Sequence, residues 1–326
     1  MTQRSGRLEP PSFESLDAVQ REVLVTTLNC GQPVQTRGLA SREIQGVSFS
    51  LLNPRRRCIT TPARRWSLPL AIGEFCWHVS GSNDLSSIAY YASRWREFSD
   101  DARTIRGSCY GHRIFAPDAQ GCSQWDRLLR LLRSDLTSRR AILSLHDSAV
   151  GLDAASRDVP CACVVQFLVR SNRLNTVVYM RSNDAIWGLP YDVFLFTMLQ
   201  ELLTAELGLT VGSYTHSVGS LHIYDRHIEL AERVIEDQGF DFEMPQMEGI
   251  QGLSTFLALA DEVRQGLNPD DDLRRVLHPY WADLLEVLRL YRLTKLRNGP
   301  AEFPSEFIYA PLLRTARFSM AQSHAS

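Results

Sequence analysis

An α+β fold in one domain spanning residues 1–326 is what the sequence predicts, on three observations. Strand-like alternations and helical periods are interspersed along the chain without a strict βαβ order. Of 326 residues, 44% are apolar and 22% charged, the composition of a chain able to bury a large core. No repeat, low-complexity stretch or linker divides it, although length alone would allow two ordinary domains.

The elements follow in order. Residues 1–14, broken by Pro10-Pro11, read as a flexible arm. The stretch LDAVQREVLVTTLNCG has a helical period stopped by Gly31, and IQGVSFSLL alternates as a strand. LPLAIGEFCWHVSG reads as a buried helix that holds Glu74 among apolar neighbours. SQWDRLLRLLRSDL is an amphipathic helix, followed by the strand RAILSLHD. CVVQFLVR and TVVYMR are strands joined by a turn in SNRLN. After Pro190 the run VFLFTMLQELLTAELG is apolar nearly all round, which predicts a core helix. TVGSYTHSVGSLHIYDRH alternates as a strand, and two helices are expected near 252–266 and 280–294. Residues 315–326 read as a loose tail.

Composition narrows the function. With 35 basic and 37 acidic side chains the net charge is -2, which argues against a nucleic-acid coat or a polybasic membrane binder. Lys295 is the only lysine, so 34 of the cations are arginine, whose planar fork suits phosphate and carboxylate. The seven cysteines (30, 58, 76, 109, 122, 161, 163) show no CxxC pairing, and no metal site is expected. The polar N-terminus carries no apolar signal region, and no stretch of about 18 apolar residues offers a spanning helix. A cytoplasmic, thiol-reduced protein with a small-molecule partner is the expectation.

The most specific segment is DVPCACVVQFLVRSNRLNTVVYMRSNDAIWGLPYD at 158–192. A Pro-Cys step opens one strand, a second ends in Arg-Ser-Asn-Asp, and Gly-Leu-Pro-Tyr-Asp leads into the core helix. This pattern resembles the thymidylate synthase family, with its PC-x4-QF strand and RS-x-D-x3-G-x-P segment. Further matches run collinearly through Arg37, Glu74, Tyr110-Gly111, Ser138-Arg139-Arg140 and GSLHIYDRH at 219–227. Any one is weak, but seven in one order are hard to obtain by chance. The resemblance implies a mixed sheet with helices and a homodimer whose sheets pack back to back.

It also implies roles. Cys161 is the nucleophile that adds to C6 of a pyrimidine and makes C5 nucleophilic, and nearby cations favour its thiolate. Arg37 and Arg181 bind the phosphate with Ser182, and Arg139 and Arg140 reach in from the partner. Gln166 belongs to the nucleotide site, and His222 and Tyr224 read the 3′-hydroxyl. Glu74 organises water and moves protons, and Tyr110 joins the relay near C5. Asp184 meets the pterin of 5,10-methylenetetrahydrofolate, walled by Trp95, Trp187, Gly188 and Tyr191.

Position 192 is where the base is read. Thymidylate synthases place asparagine there, which accepts from N3–H and donates to O4 of uracil. A carboxyl suits cytosine instead, one oxygen accepting from the 4-amino group while the other shares a proton with N3. Asp192 therefore points to the cytidylate 5-hydroxymethylases of the same family, in which water rather than hydride quenches the exocyclic methylene. Asp192 also stands just before the expected helix, where Asp is a favoured N-cap. The arginine bias suggests a high-GC bacterial genome, the kind that hosts CMP hydroxymethylases of nucleoside-antibiotic pathways, and on that association CMP is favoured over dCMP. Two departures from the family pattern stand out: Ala162 replaces the usual histidine after the nucleophile, and TARFSMAQSHAS lacks the usual apolar closing tail. The alternatives are a synthase methylating dUMP, with Asp192 only a cap, and a nucleotide-binding regulator without turnover. The intact Cys161, Glu74, Tyr110 and Asp184 speak against the regulator.

Overall fold

The alternating runs of the central sequence pair with one another into one mixed sheet, because each buries a single face. The computed structural model describes residues 9–153, 155–267, 272, 275–297 and 306–315. Its strands are β1 (Ser12–Phe13), β2 (Gln32–Thr36), β3 (Leu39–Leu51), β4 (Ile142–Ser144), β5 (Ala162–Arg170), β6 (Arg173–Asp184) and β7 (Thr210–Tyr224). They lie in the order β1-β3-β7-β6-β5-β4, with β2 hairpinned onto β3. Strands β6 and β7 are parallel, while β5–β6, β3–β7 and β4–β5 are antiparallel.

The expected turn in SNRLN contracts to Ser171 and Asn172, at φ 49° and 61°. Two left-handed residues make the hairpin turn whose twist matches its strands. The arm is shorter than expected. Ser12 and Phe13 pair in parallel with Ser50 and Leu51, so the chain is tied down from there; residues 1–8 lie outside the described residues. Of the expected tail only Thr315 is described, as the last residue of a helix from Ala310, and residues 316–326 lie outside the described residues.

The helices are α1 (Leu16–Cys30), α2 (Leu68–Val79), α3 (Leu85–Ala89), α4 (Tyr110–Phe115), α5 (Gln124–Ser134), α6 (Ser148–Gly151), α7 (Gly188–Leu207), α8 (Ile228–Glu236), α9 (Leu253–Gln265), α10 (Pro279–Arg297) and α11 (Ala310–Thr315). Helix α1 is capped by Ser15, whose side chain accepts from Ala18 N–H, and Gly31 follows its end as expected. Helix α7 starts earlier than the sequence suggested, at Gly188 rather than after Pro190. Proline is tolerated there because first-turn N–H groups have no partner within the helix.

Val165, Phe167 and Val169 of β5 and Leu174, Val178 and Met180 of β6 are buried, together with most of α7. Helices α9 and α10 join this core. Trp281 of α10 stacks on Phe75 of α2 (6.4 Å between centroids, 11°) and on Phe256 of α9 (5.2 Å, 30°). A fully buried ion pair, Arg57–Glu201, ties the loop before α2 to α7, and Glu201 also accepts from Met247 N–H at 2.9 Å. Breaking such a pair from one side costs about 3–5 kcal/mol. Helix α4 lies hard against α2: a Cβ on Gly111 would meet the His78 carbonyl oxygen at 1.9 Å. That close approach is what brings Tyr110 into the site. Among the described residues no helix is long and apolar enough to cross a membrane.

Candidate active site

Cys161 stands immediately before β5, where the chain is held from two sides. Asp158, itself buried, accepts from the N–H groups of Gly107 and Ser108 at 2.6 and 2.8 Å and from the Ser108 hydroxyl at 2.5 Å. Arg181, from the neighbouring strand, donates through Nε to Pro160 O (2.8 Å) and through Nη2 to Val159 O (3.1 Å). The same Nη2 lies 3.7 Å from Cys161 Sγ. The guanidinium favours the thiolate, as expected from sequence. Burial nevertheless outweighs it, helped by the charges of Asp192 and Asp158, and the thiol is pushed up to about 11. Within one chain, desolvation is the larger of the two opposing effects.

Tyr110 opens α4, buried between His78 and Phe196 (centroids 5.6 and 5.9 Å). Its hydroxyl oxygen accepts from Ala162 N–H at 3.2 Å, which leaves its own proton free to be donated. The Ala162 backbone thus stays engaged although the family's histidine side chain is missing. His78 accepts at Nδ1 from Gly111 N–H (3.0 Å) and is kept neutral by burial, at about 3.

Two carboxyls face each other electrostatically. Glu74 of α2, hydrogen-bonded by Trp95, is pushed up to about 8, chiefly by desolvation and then by the charge of Asp192. Asp192 is pushed up to about 7, again chiefly by desolvation, and Asp184 adds to the rise. Its Oδ2 accepts from Asn183 Nδ2 at 2.7 Å. Asp192 is the fifth residue of α7 and does not cap it, which corrects the N-cap alternative. The carboxylate at the helix start is Asp184, whose Oδ1 accepts from Ile186 and Trp187 N–H at 2.8 and 3.1 Å.

Both carboxyls hold protons more tightly folded than unfolded, so the folded state binds more protons and loses stability as pH rises. That contribution is complete below the ordinary values of 4.5 and 3.8 and gone above about 8. His78 and His216, both lowered from 6.5 to about 3, act oppositely but are constant above 6.5. Stability to urea should therefore decline between pH 6.5 and about 8, and Glu74→Gln should flatten the decline. A wild-type stability that rises over that interval would contradict the assignment.

The other expected residues fall in three groups. Ser182, Asp184, His222 and Tyr224 lie at the same end of the sheet as Cys161: Ser182 pairs with Ser220, Asp184 with His222, and Tyr224 feels the charge of Cys161. Trp187 is 40% exposed, donates to His227 Nε2 (3.2 Å) and carries the Arg64 guanidinium 4.4 Å from its ring centroid. Tyr191 accepts from Ser67 N–H (3.1 Å) and stacks on Trp66, so it serves packing at the rim of α7. A Cβ on Gly188 would lie 2.9 Å from Asn183 Nδ2 and 3.4 Å from Asp192 Oδ2, so only glycine leaves this contact undisturbed.

Three expected phosphate arginines are not gathered around Cys161 by hydrogen bonds within one chain. Arg37, at φ 50°, is exposed at the tip of the β2–β3 hairpin. Arg139 and Arg140 are exposed between α5 and β4, where Gln166 Nε2 donates to Arg139 O at 2.9 Å. Sequence reasoning missed Asp158, which anchors the chain before Cys161, His78, which stacks on Tyr110, and Asn183, which holds Asp192. Asn183, inside Arg-Ser-Asn-Asp, was the nearest to being legible.

With this geometry in view, residues 27–257 match the family model described as thymidylate synthase. The chain is also 24% identical over 280 residues to a deoxyuridylate hydroxymethyltransferase of Bacillus phage SP01, a match covering 82% of this chain and 72% of that protein.

Proposed function

The chain belongs to the thymidylate synthase family, one-carbon transferases that act on pyrimidine nucleotides, and from that premise we propose that it hydroxymethylates C5 of a cytidine monophosphate, CMP in preference to dCMP. The observation that carries this reading is a carboxyl at position 192, partly buried, with one oxygen engaged by Asn183. A carboxyl held near neutrality offers cytosine both a shared proton for N3 and an acceptor for the 4-amino group. Uracil presents the inverse pattern and leaves buried polar groups unpaired, which is how such sites reject a wrong base.

In this reading Cys161 attacks C6, and Arg181, 3.7 Å from Sγ, stabilises the thiolate as it forms. Glu74, with a proton affinity near working pH, takes and returns protons at the base. Tyr110, anchored through Ala162 N–H, aims its hydroxyl proton toward the reacting ring. His222 and Tyr224 hold the sugar, and Ser182, Arg181 and Arg37 the phosphate. Arg139 and Arg140 complete that site across a homodimer. Their exposure in one protomer supports this, as does the outer sheet face around Tyr179, which is 44% exposed.

The residues fit a folate: the carboxylate of Asp184 stands beside the exposed flat ring of Trp187, with Gly188 leaving room and Trp95 nearby on Glu74. When bound, 5,10-methylenetetrahydrofolate supplies the one-carbon unit for C5, and water completes the hydroxymethyl group. The seven free cysteines fit a reducing compartment such as the cytoplasm.

A second reading, hydroxymethylation of dUMP, is favoured by the phage relative's name. Offering the enzyme CMP, dCMP and dUMP tritiated at C5 separates them. Label should leave CMP fastest, without the absorbance of dihydrofolate that methylation would generate. Release from dUMP alone would overturn the cytidylate reading.

A further inference from the structure

Behind Asp192 the structure holds a line of polar groups that no motif predicts. Asn183 Nδ2 donates to Asp192 Oδ2 at 2.7 Å, and Asn183 Oδ1 lies 3.1 Å from His216 Nε2. His216 Nδ1 in turn lies 2.7 Å from the Tyr214 hydroxyl. Asn183 is 3% exposed and the other two 0%, so water does not replace these partners. Phe49 stacks on the imidazole (5.1 Å, 26°) and fixes its plane.

We propose that Asn183, His216 and Tyr214 are positioning residues that set which oxygen of Asp192 carries its proton, and so tune the site to cytosine against uracil. The inference deepens the cytidylate reading and rests on it. Each link has one polarity. An amide nitrogen donating to Asp192 turns its carbonyl oxygen to His216, so Nε2 must donate. His216 is neutral, because burial holds it at about 3, so Nδ1 must accept and Tyr214 must donate. The proton sequence thus runs from Tyr214 toward Asp192 and ends on Oδ2 as an acceptor.

A proton held by Asp192 consequently sits on Oδ1, where it is available to N3 of cytosine. The reverse polarity needs Oδ2–H donating to Asn183. It would leave Oδ1 a bare acceptor, matched to the N3–H of uracil. The free-energy difference between the two polarities becomes a difference between bases.

The test compares kcat/KM for C5 tritium release from CMP and dUMP. His216→Phe keeps the stacked ring but loses both nitrogens, and should lower the CMP:dUMP ratio about 10-fold or more. His216→Gln, which supplies an amide N–H to Asn183 and an oxygen to Tyr214, should restore most of it. Tyr214→Phe removes one hydroxyl and should lower the ratio less; it also serves if His216→Phe fails to fold. A ratio unchanged in His216→Phe or, where that chain does not fold, in Tyr214→Phe overturns the relay while leaving the cytidylate reading intact. So does an equal fall in His216→Gln and His216→Phe, which would mark a packing role. A wild type releasing label from dUMP alone overturns both.

Discussion

Cys161→Ala loses release of tritium from C5 of CMP, with a rate at least about 10^4-fold below wild type. C5 of a cytosine ring gives up its hydrogen readily only after a nucleophile has saturated C6. In this site the sulfur beside the Arg181 guanidinium is the group placed to do so. Removing it deletes the covalent step rather than weakening a contact, so the loss is kinetic and not conformational. Cys163→Ala is the matched control. Its thiol lies 3.9 Å from Cys161 O, across the irregularity between Ala162 and Val164, and its loss should change the rate only a few-fold by roughly the scale of an ordinary packing change. Label release that persists in Cys161→Ala would contradict covalent catalysis.

Asp192→Asn inverts the base preference. To meet uracil the new amide turns its oxygen to N3–H, the polarity in which the Asn183 amide is reversed and accepts from the new NH2. The same NH2 donates to O4 of uracil and opposes the 4-amino group of cytosine. Because buried polar groups are left unpaired, kcat/KM for CMP should fall about 100-fold or more, while dUMP gains. The substitution also removes a negative neighbour from Glu74, which should bring that carboxyl down from about 8. The acid-base limb of the remaining activity should move down in pH accordingly. A variant that keeps its preference for CMP would show that Asp192 does not read the base.

Much of the site was legible because its chemistry is local to short segments. The Pro-Cys step, the Arg-Ser-Asn-Asp strand end and Glu74 in an apolar helix are each visible within a few residues, and the structure gathers Cys161, Arg181, Asp192, Glu74 and Tyr110. Elements with strong periodicity, such as α7 and the strands β5 to β7, were legible for the same reason: alternation and helical period reflect what adjacent residues bury. The β2 strand and α8 were not read. QPVQT is exposed along most of its length and has no apolar alternation to announce it, and α8 is only nine residues long.

Periodicity and motif together pointed to a mixed sheet and to a thiol, an arginine and two carboxyls as one candidate site. The structure placed Asp192 within α7, which begins at Gly188, rather than at its cap. It alone decided the proton affinities as well. Desolvation raises Cys161, Glu74 and Asp192, and it depends on how many atoms from other strands and helices exclude water. The polarity of Asp192 is likewise beyond any local pattern. It is set by His216 and Tyr214, which lie on a strand more than twenty residues away along the chain and meet Asn183 only because β6 and β7 run side by side.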